Sequence, residues 1–200
     1  MRPYIVEFTG TPEAGKTTCI MKIISILKSH GFNIGFVQES AEITPNCIPK
    51  GSWHSNVWMR CTTIAKTLEM AYSPQYDIII CDRGPLDGIF FGYKYLSEGK
   101  CSVKEVQSYL EFLQDSKIWP DFLIAVTTTP EESIRRRGGE GRLVTKKWVE
   151  DYNRLLIPFY NDMSVDKTLI DTTDRTREQV TNQLVEIIEK KFWDYKHKNQ

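Results

Sequence analysis

The sequence predicts an α/β fold of the doubly wound kind, a parallel sheet with helices on both faces. Two observations carry this expectation. The stretch Gly10-Thr11-Pro12-Glu13-Ala14-Gly15-Lys16-Thr17 fits G-x-x-x-x-G-K-[ST]. It stands between a short apolar run, residues 4–8, and a segment in which Ile20, Ile23, Ile24 and Leu27 recur at helical spacing. Further along, apolar runs of strand length alternate with helical patterns, and residues 76–81 form a run that is apolar without alternation from Ile78 to Cys81, as in a strand buried on both faces of a parallel sheet.

The elements follow in order. The first helix stops at His30-Gly31, and residues 33–38 form the second strand, ending at Glu39. Residues 40–55 hold two prolines and a Gly-Ser pair with little periodicity and read as a long loop, and residues 56–71 read as a helix. The third strand, 76–81, runs into Asp82-Arg83-Gly84-Pro85, which breaks the chain. Helices are expected over 86–97 and 102–116, the second opened by a capping box of Ser102 and Glu105. Residues 121–126 make the fourth strand. Thr129-Pro130-Glu131-Glu132 then opens a helix with a cap, Pro at the first position and acids in the first turn. That helix is expected to stop in a flexible basic turn, 135–142, with four arginines among three glycines. A long helix over 144–160, with a kink expected near Pro158, precedes a short fifth strand at 167–171 and a closing helix over 175–193. One domain, 1–195, is expected, with a frayed tail at 196–200.

Composition narrows the functions. Lys+Arg and Asp+Glu each number 26, so no basic field argues for nucleic acid as the main partner. Five cysteines stand apart without a C-x-x-C pair, which suits a reducing compartment. The chain runs from Met1 straight towards the first strand, so no signal peptide is expected, and no run reaches the ~20 apolar residues of a membrane span. A cytoplasmic location is expected, with no membrane partner and with a homodimer left open.

The chemistry centres on the glycine loop. Its backbone, from Gly10 through Thr11, Pro12, Glu13, Ala14 and Gly15 to Lys16, Thr17 and Thr18, is placed to wrap its N–H groups around the phosphates of a nucleoside triphosphate, ATP. Lys16 brings a point charge to the β/γ-phosphates, and the Thr17 hydroxyl can bind Mg²⁺. Asp82 ends an apolar strand, the place of a carboxylate that holds Mg²⁺ directly or through water, or of a turn cap. Arg83 can clamp an acceptor or neutralise developing charge. Glu39 can accept a proton from an attacking hydroxyl, with Glu42 as the nearby competitor. Arg135, Arg136, Arg137 and Arg142 offer forked donors for phosphate on a segment whose glycines let it close; which of them points inward is left open by the spacing. Trp53, His54 and Trp58 lie where an acceptor pocket could form, or where rings pack.

With these residues in hand, the chain resembles the P-loop nucleoside and nucleotide kinases, above all the deoxynucleoside kinase and thymidylate kinase group. The resemblance rests on the loop of residues 10–18, Glu39 after strand two, Asp82-Arg83-Gly84 after strand three, and Thr129-Pro130-Glu131-Glu132 leading into 135–142. It implies a single P-loop NTPase domain with strand order 2-3-1-4-5 and an Arg/Gly-rich lid at 135–142. It also implies an Asp-Arg pair serving Mg²⁺ and the transferred phosphoryl, and Glu39 as base. Catalytic roles are thus expected for Lys16, Glu39, Asp82, Arg83, Arg137 and Arg142, with Arg135 at the nucleotide. The acceptor side departs from both groups: Gln38 precedes Glu39, Ser40 follows it, and Gly84-Pro85 follows Asp82-Arg83. The expected activity is transfer of the γ-phosphoryl of ATP to a nucleoside or nucleoside monophosphate, a nucleoside-type hydroxyl being preferred because Glu39 has no adjacent arginine. Arg60 and Arg83 are the cations a monophosphate would require. The competing readings are a nucleotide-binding ATPase switch, although no Asn-Lys-x-Asp guanine motif is present, and a 5′-end polynucleotide kinase.

Overall fold

Strands β1 (Tyr4–Gly10), β2 (Ile34–Val37), β3 (Ile78–Asp82), β4 (Phe122–Thr127) and β5 (Asp166–Asp171) form one sheet in the order β2-β3-β1-β4-β5. All four pairings are parallel. This computed structural model describes residues 2–142 and 144–199, apart from the side chain of Glu42. Among the described residues seven α-helices connect the strands: α1 (Lys16–Ser29), α2 (Trp53–Ala71), α3 (Pro85–Ser97), α4 (Val103–Asp115), α5 (Pro130–Arg137), α6 (Lys146–Asp162) and α7 (Arg177–Lys198). No helix among the described residues is long and apolar enough to cross a membrane.

The two-residue period of β1 divides the core. Tyr4, Val6 and Phe8 face α1 and α7, where Ile20, Ile23, Leu27, Val180, Leu184 and Ile188 pack with them. The other face is covered by α2, α3 and α6, through Ile64, Leu86, Phe90, Tyr152 and Leu156 over Leu123 and Ala125 of β4. Parallel strands covered on both sides explain why β1, β3 and β4 are buried throughout their length.

Several boundaries differ from the sequence reading, each for a local reason. Helix α2 begins at Trp53 because the Ser52 hydroxyl accepts the Ser55 amide at 3.1 Å, and a 3₁₀ turn (Ser40–Ile43) occupies part of the expected loop. The capping box of Ser102 and Glu105 forms as expected. Arg135, Arg136 and Arg137 are the last turn of α5, not part of a flexible turn; the helix ends only at Gly138, which caps it with φ 85°. Helix α6 begins at Lys146 under a Thr145 cap and runs through Pro158 to Asp162. Helix α7 continues to Lys198, so residues 196–198 are helical rather than frayed. The basic side chains of Lys196, His197 and Lys198 sit at the negative end of the helix dipole, and Asn199 Nδ2 donates to Tyr195 O. Gln200 lies outside the described residues.

Candidate functional site

The C-terminal edge of the sheet brings the sequence-selected residues together. Leaving β1, the loop turns sharply at Gly10, whose φ is 134°. A Cβ there would lie 1.9 Å from Val126 O, so only glycine fits between the loop and β4. The Thr11 amide donates to that same Val126 carbonyl at 3.0 Å. Gly15, in the left-handed region at φ 87°, opens α1 without a side-chain cap, leaving the helix's first amides facing the open side of the loop.

Lys16 is only 6% exposed and folds back onto its own loop, its ammonium donating to Gly10 O at 3.1 Å and Thr11 O at 2.8 Å. Burial, and next the neighbouring Arg83 charge, bring its pKa down to about 8, against the pull of Asp82, Glu39 and Asp87. The Thr17 hydroxyl donates to Asp82 Oδ2 at 2.6 Å, while Asp82 Oδ1 is buried without a partner. These two hard oxygen donors, one with an orphaned lone pair, fit Mg²⁺, which binds through few protein ligands and keeps water and phosphate oxygens for the rest. No group of three or more His, Cys, Asp or Glu suited to a metal occurs among the described residues.

Arg83 is the hub. It sits at φ 61°, rare for a residue with a Cβ, held by its amide to Phe8 O at 2.9 Å and by Arg60 at its own carbonyl. Its Nε lies 2.9 Å from Glu39 Oε1, an ion pair not aligned as a hydrogen bond. Nη1 donates to Asp87 Oδ1 at 3.1 Å and to Tyr152 Oη at 3.2 Å, and Nη2 donates to Gly10 O at 3.3 Å. Asp87 in turn accepts the Thr9 hydroxyl at 2.6 Å. Behind them Glu7, fully buried in β1, accepts the amides of Leu86 and Asp87 at 3.0 and 2.7 Å and so caps α3 from beneath the sheet. Burial pushes the Glu7 pKa up to about 8, outweighing those two amides.

Two cavities flank the loop. One of about 340 Å³ is lined by Pro12, Glu13, Gly15, Lys16, Thr17, Thr18, Glu39 and Arg83. The other, about 690 Å³, lies between the loop, α5 and the start of α7, lined by Glu13, Ala14, Gly15, Thr18, Arg135, Arg136 and residues 172–177 among others. Gly10 and Thr11 are buried beneath the loop and line neither. Of the arginines in 135–142, Arg135 has a side chain 73% exposed and pairs with Glu132, Arg136 binds Glu132 and Thr172, and Arg137 Nη1 stands 3.6 Å from Glu13 Oε1 at the loop rim. Arg142 is exposed and lines neither cavity.

Three residues had alternative readings in the sequence. Trp53 is core, packed with Tyr95 and Val106, because α2 starts early enough to turn it inward. His54 is exposed on the opposite side of that turn. Arg60 is not a cation awaiting a phosphate: it is 1% exposed and Nη1 donates to Arg83 O and Gly84 O, both at 2.8 Å. Reading the sequence missed Glu7, Asp87 and Tyr152. Glu7 left a signal, a lone carboxylate in a strand otherwise apolar, and Asp87 stands at i+4 from Arg83 at the head of α3; Tyr152 left none. No protein-family model matches this chain, and no curated protein matches it.

Proposed function

We propose that this chain is a P-loop phosphotransferase that moves the γ-phosphoryl of ATP to a small nucleoside-type acceptor, and that the accepting group is a hydroxyl. The observation that carries this is the convergence of Lys16, Thr17 and the Glu39–Arg83 pair on one cavity of about 340 Å³ at the mouth of the glycine loop, with Asp82 hydrogen-bonded behind Thr17. The loop amides and the α1 N-terminus supply fixed positive potential for the phosphates. Lys16 leaves two neutral carbonyls to reach a phosphate anion, a stronger partner for an ammonium. Thr17 and Asp82 would hold Mg²⁺, which when bound neutralises charge on the phosphate oxygens. The cavity of about 690 Å³ has room for the nucleoside part.

On the acceptor side, Glu39 takes the hydroxyl proton as the acceptor oxygen bonds to the γ-phosphorus and the bond to the ADP oxygen breaks. Arg83, fixed by four partners, orients Glu39 and faces the cavity where charge develops, so little reorganisation is needed during transfer. The hydroxyl preference rests on Arg60: with its charge committed to the turn after β3, the acceptor side lacks the pair of free cations that a monophosphate needs.

The test is incubation with γ-labelled ATP, Mg²⁺ and a panel of nucleosides, nucleoside monophosphates and small alcohols, followed by separation of labelled products. A labelled nucleoside is expected. Label confined to monophosphates would make the chain a nucleotide kinase, and phosphate release that no acceptor alters would leave an ATPase switch.

A further inference from the structure

The five backbone carbonyls of the loop from Gly10 to Ala14 are all engaged, and by groups from four different parts of the fold. Gly10 O accepts from Tyr152 Oη of α6 at 3.0 Å, from Arg83 Nη2 at 3.3 Å and from Lys16 Nζ at 3.1 Å. Thr11 O accepts from Lys16 Nζ and from the Ala14 amide at 3.2 Å. Pro12 O accepts from the Ser133 hydroxyl of α5 at 2.9 Å, and Glu13 O from Arg136 Nη1 at 3.4 Å. Ala14 O accepts from the Thr172 hydroxyl, just after β5, at 3.1 Å, a proton that Thr127 O shares at the same distance. The Thr11 side chain adds a further tie to α6, donating to Asn153 Oδ1 at 2.6 Å.

A loop binds an anion through amides turned inward, and a carbonyl turned inward beside them would repel it. Donors outside the loop that hold the carbonyls away therefore set its binding conformation before the anion arrives. We propose that Tyr152, Ser133 and Thr172 are positioning residues that form an outer clasp on the glycine loop and fix it in the shape that receives a polyphosphate. The inference rests on the phosphotransferase reading only in taking the loop's ligand to be a polyphosphate.

The clasp also accounts for Lys16. When its ammonium leaves for a phosphate, Thr11 O keeps the Ala14 amide and Gly10 O keeps Tyr152 and Arg83, so no loop carbonyl is orphaned. Three donors crowd one oxygen that has two lone pairs, and two of them are cations. Tyr152 thus lets Lys16 go at low cost. Thr172 and Arg136 extend the clasp: Arg136 Nη2 donates to Thr172 O at 2.6 Å and Nη1 to Thr172 Oγ1 at 3.0 Å, tying the end of α5 to the same oxygen that holds Ala14. Arg136 is thereby a member of the clasp, and its guanidinium is held at the outside of the loop.

The experiment measures binding of tripolyphosphate and of ATP by calorimetry for the wild type and for Tyr152→Phe, Ser133→Ala, Thr172→Val and Thr172→Ser. Each of the first three should bind both probes about 5- to 10-fold more weakly, the size of one hydrogen bond lost from an ordered site. Thr172→Ser, which keeps the hydroxyl, should bind within about twofold of wild type, a rescue that loss of packing would not give. Wild-type protein that binds the probes while all three variants stay within twofold overturns the clasp alone. Weakened binding that follows loss of folded protein, with Thr172→Ser behaving like Thr172→Val, overturns it as well. Wild-type protein that binds neither probe overturns the phosphotransferase reading and the clasp together.

Discussion

Arg60→Met separates two roles for a buried charge. Methionine keeps most of the aliphatic stem and removes the guanidinium. In the structure that guanidinium holds the carbonyls of Arg83 and Gly84, each at 2.8 Å, and stands 3.7 Å from Asp87 Oδ2 in surroundings where both side chains are essentially inaccessible. Removing it strands two buried acceptors and leaves Asp87 with Arg83 as its one remaining cation. Deleting one partner of a buried ion pair costs about 3–5 kcal/mol. In a domain of this length each kcal/mol moves Tm by about 2–4 °C, so a fall of about 6–20 °C is expected. The assay is a thermal melt followed by circular dichroism, run beside acceptor kinetics. A melt within about 2 °C of wild type, together with a raised KM for a phosphorylated acceptor, would refute the structural role and return Arg60 to the acceptor site.

Four further outcomes are expected. Lys16→Ala should abolish phosphoryl transfer with the fold retained; a variant with full residual activity and a melt near wild type would contradict the role given to the loop. Glu39→Gln should lower kcat by about 10²–10⁴-fold with the KM for ATP little changed, as the triphosphate does not use that carboxylate; unaltered kcat would exclude it as the base. Arg137→Ala, at the loop rim beside Glu13, should lower kcat more than it raises the KM for ATP, whereas Arg135→Ala should do less because that guanidinium faces solvent beside Glu132; the reverse order in steady-state kinetics would overturn the assignment. Finally, with its folded pKa pushed from 4.5 to about 8, Glu7 holds a proton between those values that the unfolded chain has lost, so its contribution to stability falls as pH rises through that window by up to about 1.4 kcal/mol per pH unit. Urea melts at pH 5.5, 6.5 and 7.5 should show this slope relative to Glu7→Gln; parallel pH dependences would argue against it.

What was legible in the sequence was what is local. The loop, its flanking strand and helix, and the buried β3 run could be read because periodicity and turn residues act over a few positions. The strand order in the sheet agrees with that implied by the family resemblance. The ring around Arg83 was hidden for the opposite reason. Tyr152 reaches Gly10 across 142 positions of chain and Glu7 reaches Asp87 across 80, and nothing in the local pattern of either partner announces the other. Arg60 misled because an arginine on a helix face near a site looks like a ligand until its partners are seen to be two backbone carbonyls. Likewise, the arginines before Gly138 read as a loop because glycines follow them, although the Thr129 cap and the acids of the first turn had already committed the segment to a helix.

The charges around the turn after β3 form a near-balanced set, and that balance bears on the proposed acceptor. Lys16, Arg60 and Arg83 bring three cations and Glu39, Asp82 and Asp87 three carboxyl groups, while burial pushes the pKa of Glu7 beside them up to about 8. Arg60 and Asp87 are spent on the turn itself. Lys16 and the Thr17–Asp82 pair face the loop and suit the triphosphate with its metal. What remains towards the acceptor is Arg83 with Glu39, a pair that is neutral as a unit. A monophosphate entering there would bring negative charge against Glu39 with one arginine, already shared four ways, to meet it. A hydroxyl brings no charge and needs only an acceptor for its proton, the part that the proposed function gives to Glu39.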